Sequence, residues 1–86
     1  MIHPGWKLRE VLESKNISIV KSCLNNHVDH DMIYKIMNTD RNITANSALQ
    51  IERLTGLKAE YWMDLQRDYS LDRLRRNDIR TSNTIT

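Results

Sequence analysis

Residues 18–38, SIVKSCLNNHVDHDMIYKIMN, hold the pattern that decides the fold. Ser18 is a good N-cap, because its hydroxyl can accept from an unpaired N–H of a first turn. Val20, Cys23, Leu24 and His27 follow at i, i+3, i+4 and i+7, the spacing of one helix face, which predicts a helix over about 18–26. Asp29 is the next cap, and Met32, Ile33, Ile36 and Met37 form the stripe of a second helix ending near Asn38. Two short helices joined by about three residues are the ingredients of a helix-turn-helix, in which the second helix enters a DNA major groove while the first crosses the backbone. That geometry needs a small residue where the helices cross, which Cys23 supplies. It also needs apolar residues to hold the second helix down, and Val28, Ile33 and Ile36 are placed for it. His30, Asp31, Tyr34, Lys35 and Asn38 are left facing outward.

Outward from this pair the chain reads as helical almost throughout. Pro4 suits a first turn, where its missing N–H costs nothing, and Leu8, Val11 and Leu12 continue a helix over about 5–15. The polar stretch from Asn38 to Ile43 is a loop. Thr44 caps a fourth helix with Ala45, Ala48, Leu49 and Glu52 along one side and Ile51 and Leu54 beside them, and Gly56 suits the left-handed position that ends it. A fifth helix starts near Ala59, carries Trp62, Leu65 and Tyr69 with Met63 and Gln66 on the next row, and reaches about Arg75. Beyond Asn77, Ile79, Thr81, Asn83 and Ile85 share one parity, which fits a short strand given a partner edge and a frayed end without one. The expectation is an all-α, compact five-helix bundle, with a helix-turn-helix domain over 1–76 and a tail over 77–86 ending in a short strand or disorder.

Composition narrows the function. The 86 residues, 40% hydrophobic and 28% charged, make one domain, whose small core leaves room for a partner subunit to add stability. One cysteine, Cys23, cannot form an internal disulfide, and no apolar run exceeds three residues, which excludes a disulfide scaffold, a signal peptide and a membrane span and makes the cytoplasm the expected location. Thirteen Lys and Arg against eleven Asp and Glu leave +2, so attraction to nucleic acid has to be local. The dense cluster of Arg73, Arg75, Arg76 and Arg80 is equally a solvated helix end stabilised by the helix dipole. Cys23, His27 and His30, with Asp29 and Asp31, include zinc-ligand chemistry, but Cys23 points inward and the histidines straddle a turn, so no metal and no cofactor is expected. Without a Gly-rich phosphate loop or a nucleophile, base and acid that can be tied together, no enzyme is expected. Trp6 and Trp62 read as core or interface anchors.

Three blocks resemble a known family. His3, Pro4, Gly5 with Leu8, Arg9, Glu10; then Asn38, Arg41, Ile43, Thr44, Ala48, Leu49, Gly56; then Ala59, Glu60, Tyr61, Trp62, Met63, Asp64, Leu65, Gln66 with Tyr69 and Leu71 align without a gap over about 3–75. Together they resemble HigA-type antitoxins, the plasmid-maintenance antidote proteins of the Cro/repressor-like helix-turn-helix group. The resemblance implies a homodimer that represses its own operon on a palindromic double-stranded DNA operator and neutralises a partner toxin, usually a HigB-type ribosome-dependent mRNA endonuclease. Carried onto this chain, it makes His30, Asp31, Tyr34 and Lys35 the recognition surface, Asn38 and Arg41 the polar loop beside it, and Ser18 a contact at the start of the preceding helix.

The departures from the family cluster in the helix pair. A phosphate-positioning glutamine is replaced by Ile19, which has no side-chain donor. Leucines are replaced by Ser22 and Asn26, the turn glycine by His27, and the recognition helix opens on Asp29, His30, Asp31. Asp31 can accept from a cytosine amino group, yet carboxylates near phosphates oppose counterion release. Two alternatives follow: a protein-interaction module whose helix pair no longer reads DNA, and a stand-alone phage or plasmid repressor without a toxin.

Overall fold

The computed structural model describes the backbone of residues 2–85 and the side chains of residues 2–77. Five helices occur in the order α1 Pro4–Ser14, α2 Ile19–Asn26, α3 His30–Met37, α4 Ala45–Thr55 and α5 Ala59–Ile85, with no strand among the described residues. Their common core holds Leu8, Leu12, Cys23, Ile33, Ile36, Ile51 and Trp62, all essentially without solvent contact. Burial of that kind stabilises by roughly 1.5–3 kcal/mol per large side chain, which two-turn helices such as α2 and α3 need because they are too short to persist alone.

α1 begins at Pro4 as expected, and its cap is His3, whose Nδ1 accepts from the Gly5 N–H at 2.9 Å. Gly5 is there for space: a Cβ at this position would overlap the Ile36 carbonyl oxygen of α3. The first turn of α1 therefore lies directly against the α3 backbone, and Leu8, Val11 and Leu12 extend the contact below it.

α2 departs from the expected stripe. Cys23 is buried, but Val20 is 54% and Leu24 78% exposed, and the inward row is Ile19, Ser22, Cys23 and Asn26. The reason is that Cys23 fixes the rotation. With it turned inward, Val20 and Leu24 fall on the solvent side, and Asn26 meets its own needs by donating Nδ2 to the Ser22 carbonyl at 2.8 Å. The α2 core is thinner than its hydrophobic content suggests. His27 takes the left-handed conformation that a turn glycine would provide, at φ 55° and ψ 45°, at a cost of about 1–2 kcal/mol.

In α3, Asp29 caps through its side chain, accepting from the Asp31 N–H at 3.0 Å, and Met32, Ile33, Ile36 and Met37 all turn inward. Thr44 caps α4 in a reciprocal box with Ser47, and Gly56 ends it at φ 81°. The buried row of α4 is Ser47, Ala48, Ile51, Leu54 and Thr55, so Ala45 and Leu49, expected on one side with Ala48, face solvent instead. Trp62 is a core residue whose indole N–H finds no partner among the described residues, while Trp6 lies mostly exposed on α1.

The largest departure is at the end of the chain. α5 does not stop near Arg75 but continues to Ile85, a length of about 40 Å at 1.5 Å per residue. Helix rather than strand runs over 77–85, because no Gly or Pro follows Gly56 to break the helix and no sheet edge exists among the described residues to pair a strand. An Asp72–Arg76 pair at 3.1 Å bridges one turn of this extension. The side chains of Ile79 and Arg80, singled out in the sequence, lie outside the described residues.

Gly5→Ala is expected to destabilise the chain by about 1–3 kcal/mol, since a backbone carbonyl cannot yield as a side chain does. Urea denaturation checks it; a midpoint within error of the parent would show that α1 and α3 do not need this separation.

Candidate nucleic-acid interface

With four side chains of α3 fixed inward, His30, Asp31, Tyr34 and Lys35 are left together on the outward side, and all four are exposed. The chemistry of this face is mixed. Lys35 Nζ and Asp31 Oδ2 pair at 3.1 Å, one turn apart, with both side chains more than half exposed. Such a pair adds about 0.3–0.5 kcal/mol at most, so neither group is locked against a better partner. His30 and Tyr34 meet edge to face with ring centroids 6.2 Å apart.

Asn38, the C-cap of α3, is not a free amide: its Oδ1 accepts from Arg9 Nη2 of α1 at 3.2 Å. Arg9 was absent from the sequence candidates, and no local spacing rule links two residues 29 positions apart. Arg9 and Asn38 border a cleft of about 330 Å³ together with Tyr34, Met37, Ile17 and Ile19. Ser18 sits between two of these lining residues, at the N-cap of α2, and makes no side-chain cap bond there. The start of α2 and the outward face of α3 therefore share one cleft, and Ile19 places a hydrocarbon in it.

The loop after α3 turns back through Thr39, a β-branched residue held at φ 64°, a conformation costly for such a side chain. Arg41 follows, fully on the surface. The loop itself is tied down on the inner side: His3 Nε2 and Asn42 Oδ1 are 3.3 Å apart, the Ile43 N–H donates to Gln66 Oε1 at 2.7 Å, and Ile43 is buried. At the other end of α3, the Asp29 N–H donates to Gln50 Oε1 of α4 at 3.2 Å. The seven sequence candidates thus fall into four places: four on the α3 face, Asn38 at the cleft, Ser18 at the N-cap of α2, and Arg41 on the braced loop.

Burial displaces two titrating groups, His3 and Cys23. Burial pushes the His3 imidazole below its ordinary range, against the Asn42 hydrogen bond and with help from the Arg73 charge. Burial, with the Asp29 charge, raises the Cys23 thiol, which keeps it an unreactive packing group. Among the described residues no three His, Cys, Asp or Glu side chains converge as a metal site would require.

Against solved structures, the chain superposes on the antitoxin HigA of Pseudomonas aeruginosa, solved with the higBA promoter, at a TM-score of 0.79 and 31% identity, covering 93% of this chain and 88% of that one. The chain belongs to the HigA antitoxin family. A second Pseudomonas aeruginosa structure, a protein in complex with its 18-bp operator DNA, matches this HigA-family chain at a TM-score of 0.81 and 29% identity, over 99% of this chain and 90% of that one. Among curated proteins, Virulence-associated protein I of Dichelobacter nodosus is 37% identical over 71 residues, 81% of this chain, and the chain spans 66% of that protein's length. No protein-family model matches.

The two ends of the α3 face differ in what they do for stability. Asp29→Ala is expected to cost about 0.5–2 kcal/mol through loss of the cap, and Lys35→Ala less than about 0.5 kcal/mol. Paired urea titrations check this; equal losses would mean that the face is structural throughout.

Proposed function

We propose that this HigA-family chain is an operator-binding antitoxin and autorepressor that acts as a dimer in the cytoplasm and neutralises a HigB-type mRNA endonuclease, and that it is not itself an enzyme. The observation that carries the reading is the uncovered outward side of α3, four polar side chains wide, in a fold whose relatives were solved on operator and promoter DNA. In this reading α3 enters the major groove, with Tyr34 and His30 at base edges and Asp31 accepting from a cytosine amino group once Lys35 has turned to a phosphate. Arg41, Asn38 and Ser18 position the protein on the sugar–phosphate backbone. The loss of a donor at Ile19 is offset in part by Arg9, which reaches the same cleft from α1.

The dimer is supported by α5, where Leu71 is 38% and Leu74 58% exposed on a helix that outruns the core. A symmetric pair of such helices buries both leucines and presents two α3 faces to two half-sites. A second reading, a toxin-binding module that no longer reads DNA, draws support from the Asp31–Lys35 pair, in which a carboxylate offsets the charge of Lys35 on the α3 face, and from Val20 and Leu24, which are exposed and apolar.

Electrophoretic mobility shift with the DNA upstream of the gene separates the two. Binding at low salt is expected, with Arg41→Ala weakening every sequence alike and lowering the salt slope by about 1. Asp31→Ala is expected to raise non-specific affinity while relaxing sequence choice. No shift by folded protein, with co-purification of a neighbouring gene product, favours the second reading. Light scattering on eluted protein checks the dimer, which Leu71→Glu with Leu74→Glu should reduce to a monomer.

A further inference from the structure

His3 is used twice by the fold, and both uses need the same protonation state. The ring is 6% exposed. Its Nδ1 accepts from the Gly5 N–H, so Nδ1 carries no proton. The proton of the neutral ring is therefore on Nε2, where it is donated to Asn42 Oδ1 of the loop. A second proton would have to sit on Nδ1, facing the Gly5 N–H head on, and the cap of α1 would be lost. The nearby Arg73 charge also opposes a positive ring: Tyr69 of α5 meets His3 edge to face at 5.0 Å, and the Arg73 guanidinium stands over the Tyr69 ring at 5.8 Å from its centroid.

What the ring touches gives this a consequence for the interface. Asn42 lies beside Arg41 on the loop, and Gly5 lies against the Ile36 carbonyl of α3. One side chain thus braces both the loop that carries Arg41 and, through Gly5, the back of the recognition helix. We propose that His3 is a positioning residue for operator contact, holding the 38–44 loop in its binding conformation only as the neutral imidazole, so that acid loosens the loop and weakens DNA binding. This rests on the operator-binding reading given above.

The sign follows from linkage. The folded chain holds the His3 pKa below the ordinary value near 6.5 because burial disfavours the charge. The unfolded or loosened state therefore takes up the proton first. The stabilisation is complete above about pH 6.5 and is lost as pH falls below it toward the lowered folded value.

The test is an NMR titration of the full chain, following the His3 ring and the backbone amides of Asn38 to Ile43, alongside operator affinity at roughly pH 7.5 and 5.5 at constant ionic strength. The loop amides are expected to move with the His3 ring. Operator affinity should fall by about threefold or more on acidification relative to His3→Asn. That variant keeps an N-cap but neither titrates nor reaches Asn42, so it should bind more weakly at pH 7.5 with no acid-dependent loss of its own from this site. Asn42→Ala, which leaves the cap alone, should let the ring titrate while the loop amides stay still. Loop amides that ignore His3 titration in the parent chain overturn the proposal, as do superimposable affinity profiles of the parent and His3→Asn. Absence of operator binding by the parent at pH 7.5 counts against the DNA reading instead, and the amide titration still decides whether His3 holds the loop.

Discussion

The contact between the first turn of α1 and the backbone of α3 is the constraint on which the arrangement rests. α3 has eight residues, too few to hold a helix in water by themselves. Its orientation comes from what it lies against, and Gly5 lets that be a carbonyl rather than a side-chain layer. Once Ile36 is fixed there, Met32, Ile33 and Met37 have one way to face, and the outward positions of His30, Asp31, Tyr34 and Lys35 follow. The α3 surface is thus defined from behind, by residues that never reach it.

The same dependence explains what was legible in the sequence. Elements with local signals were readable: the Asp29 and Thr44 caps, the Gly56 stop and the Met32–Met37 stripe all act over four residues or fewer and appear where the spacing puts them. At His27 the family resemblance, which places a turn glycine there, marked the position that proves left-handed. The rotation of α2 was not, since in eight residues two candidate rows overlap, and only the tertiary demand on Cys23 selects between them. The continuation of α5 was missed for a different reason. β-branched and small polar residues lower helix propensity by tenths of a kcal/mol each, which does not stop a helix already propagating when no breaker is present.

In the candidate site, the exposed side chains were legible and their braces were not. Periodicity separates the two sides of α3, so His30, Asp31, Tyr34 and Lys35 could be named. Arg9 on Asn38, Gln50 on the Asp29 N–H, and His3 and Gln66 on the loop span 21 to 39 positions. Nothing in a single sequence marks such pairs. They form a ring of polar contacts around a helix whose core contacts are apolar: Gln50 and Gln66 accept from the backbone N–H groups of Asp29 and Ile43, while His3 and Arg9 meet the side chains of Asn42 and Asn38.

Two left-handed residues, His27 before α3 and Thr39 after it, bracket the helix, and neither is a glycine. A glycine at either place relieves backbone strain but adds freedom to the unfolded chain, and the two effects are of similar size. What a side chain adds is a narrower set of conformations at the points where α3 enters and leaves the body. For a helix whose face must arrive at a surface in one orientation, a stiff hinge at both ends limits rocking without adding a core contact. The Asp31–Lys35 pair has the matching property on the exposed side: it holds two flexible side chains near each other while costing little to break. Rigid attachment from behind and loosely held charge in front together give a surface whose position is set before contact and whose polar groups rearrange on contact.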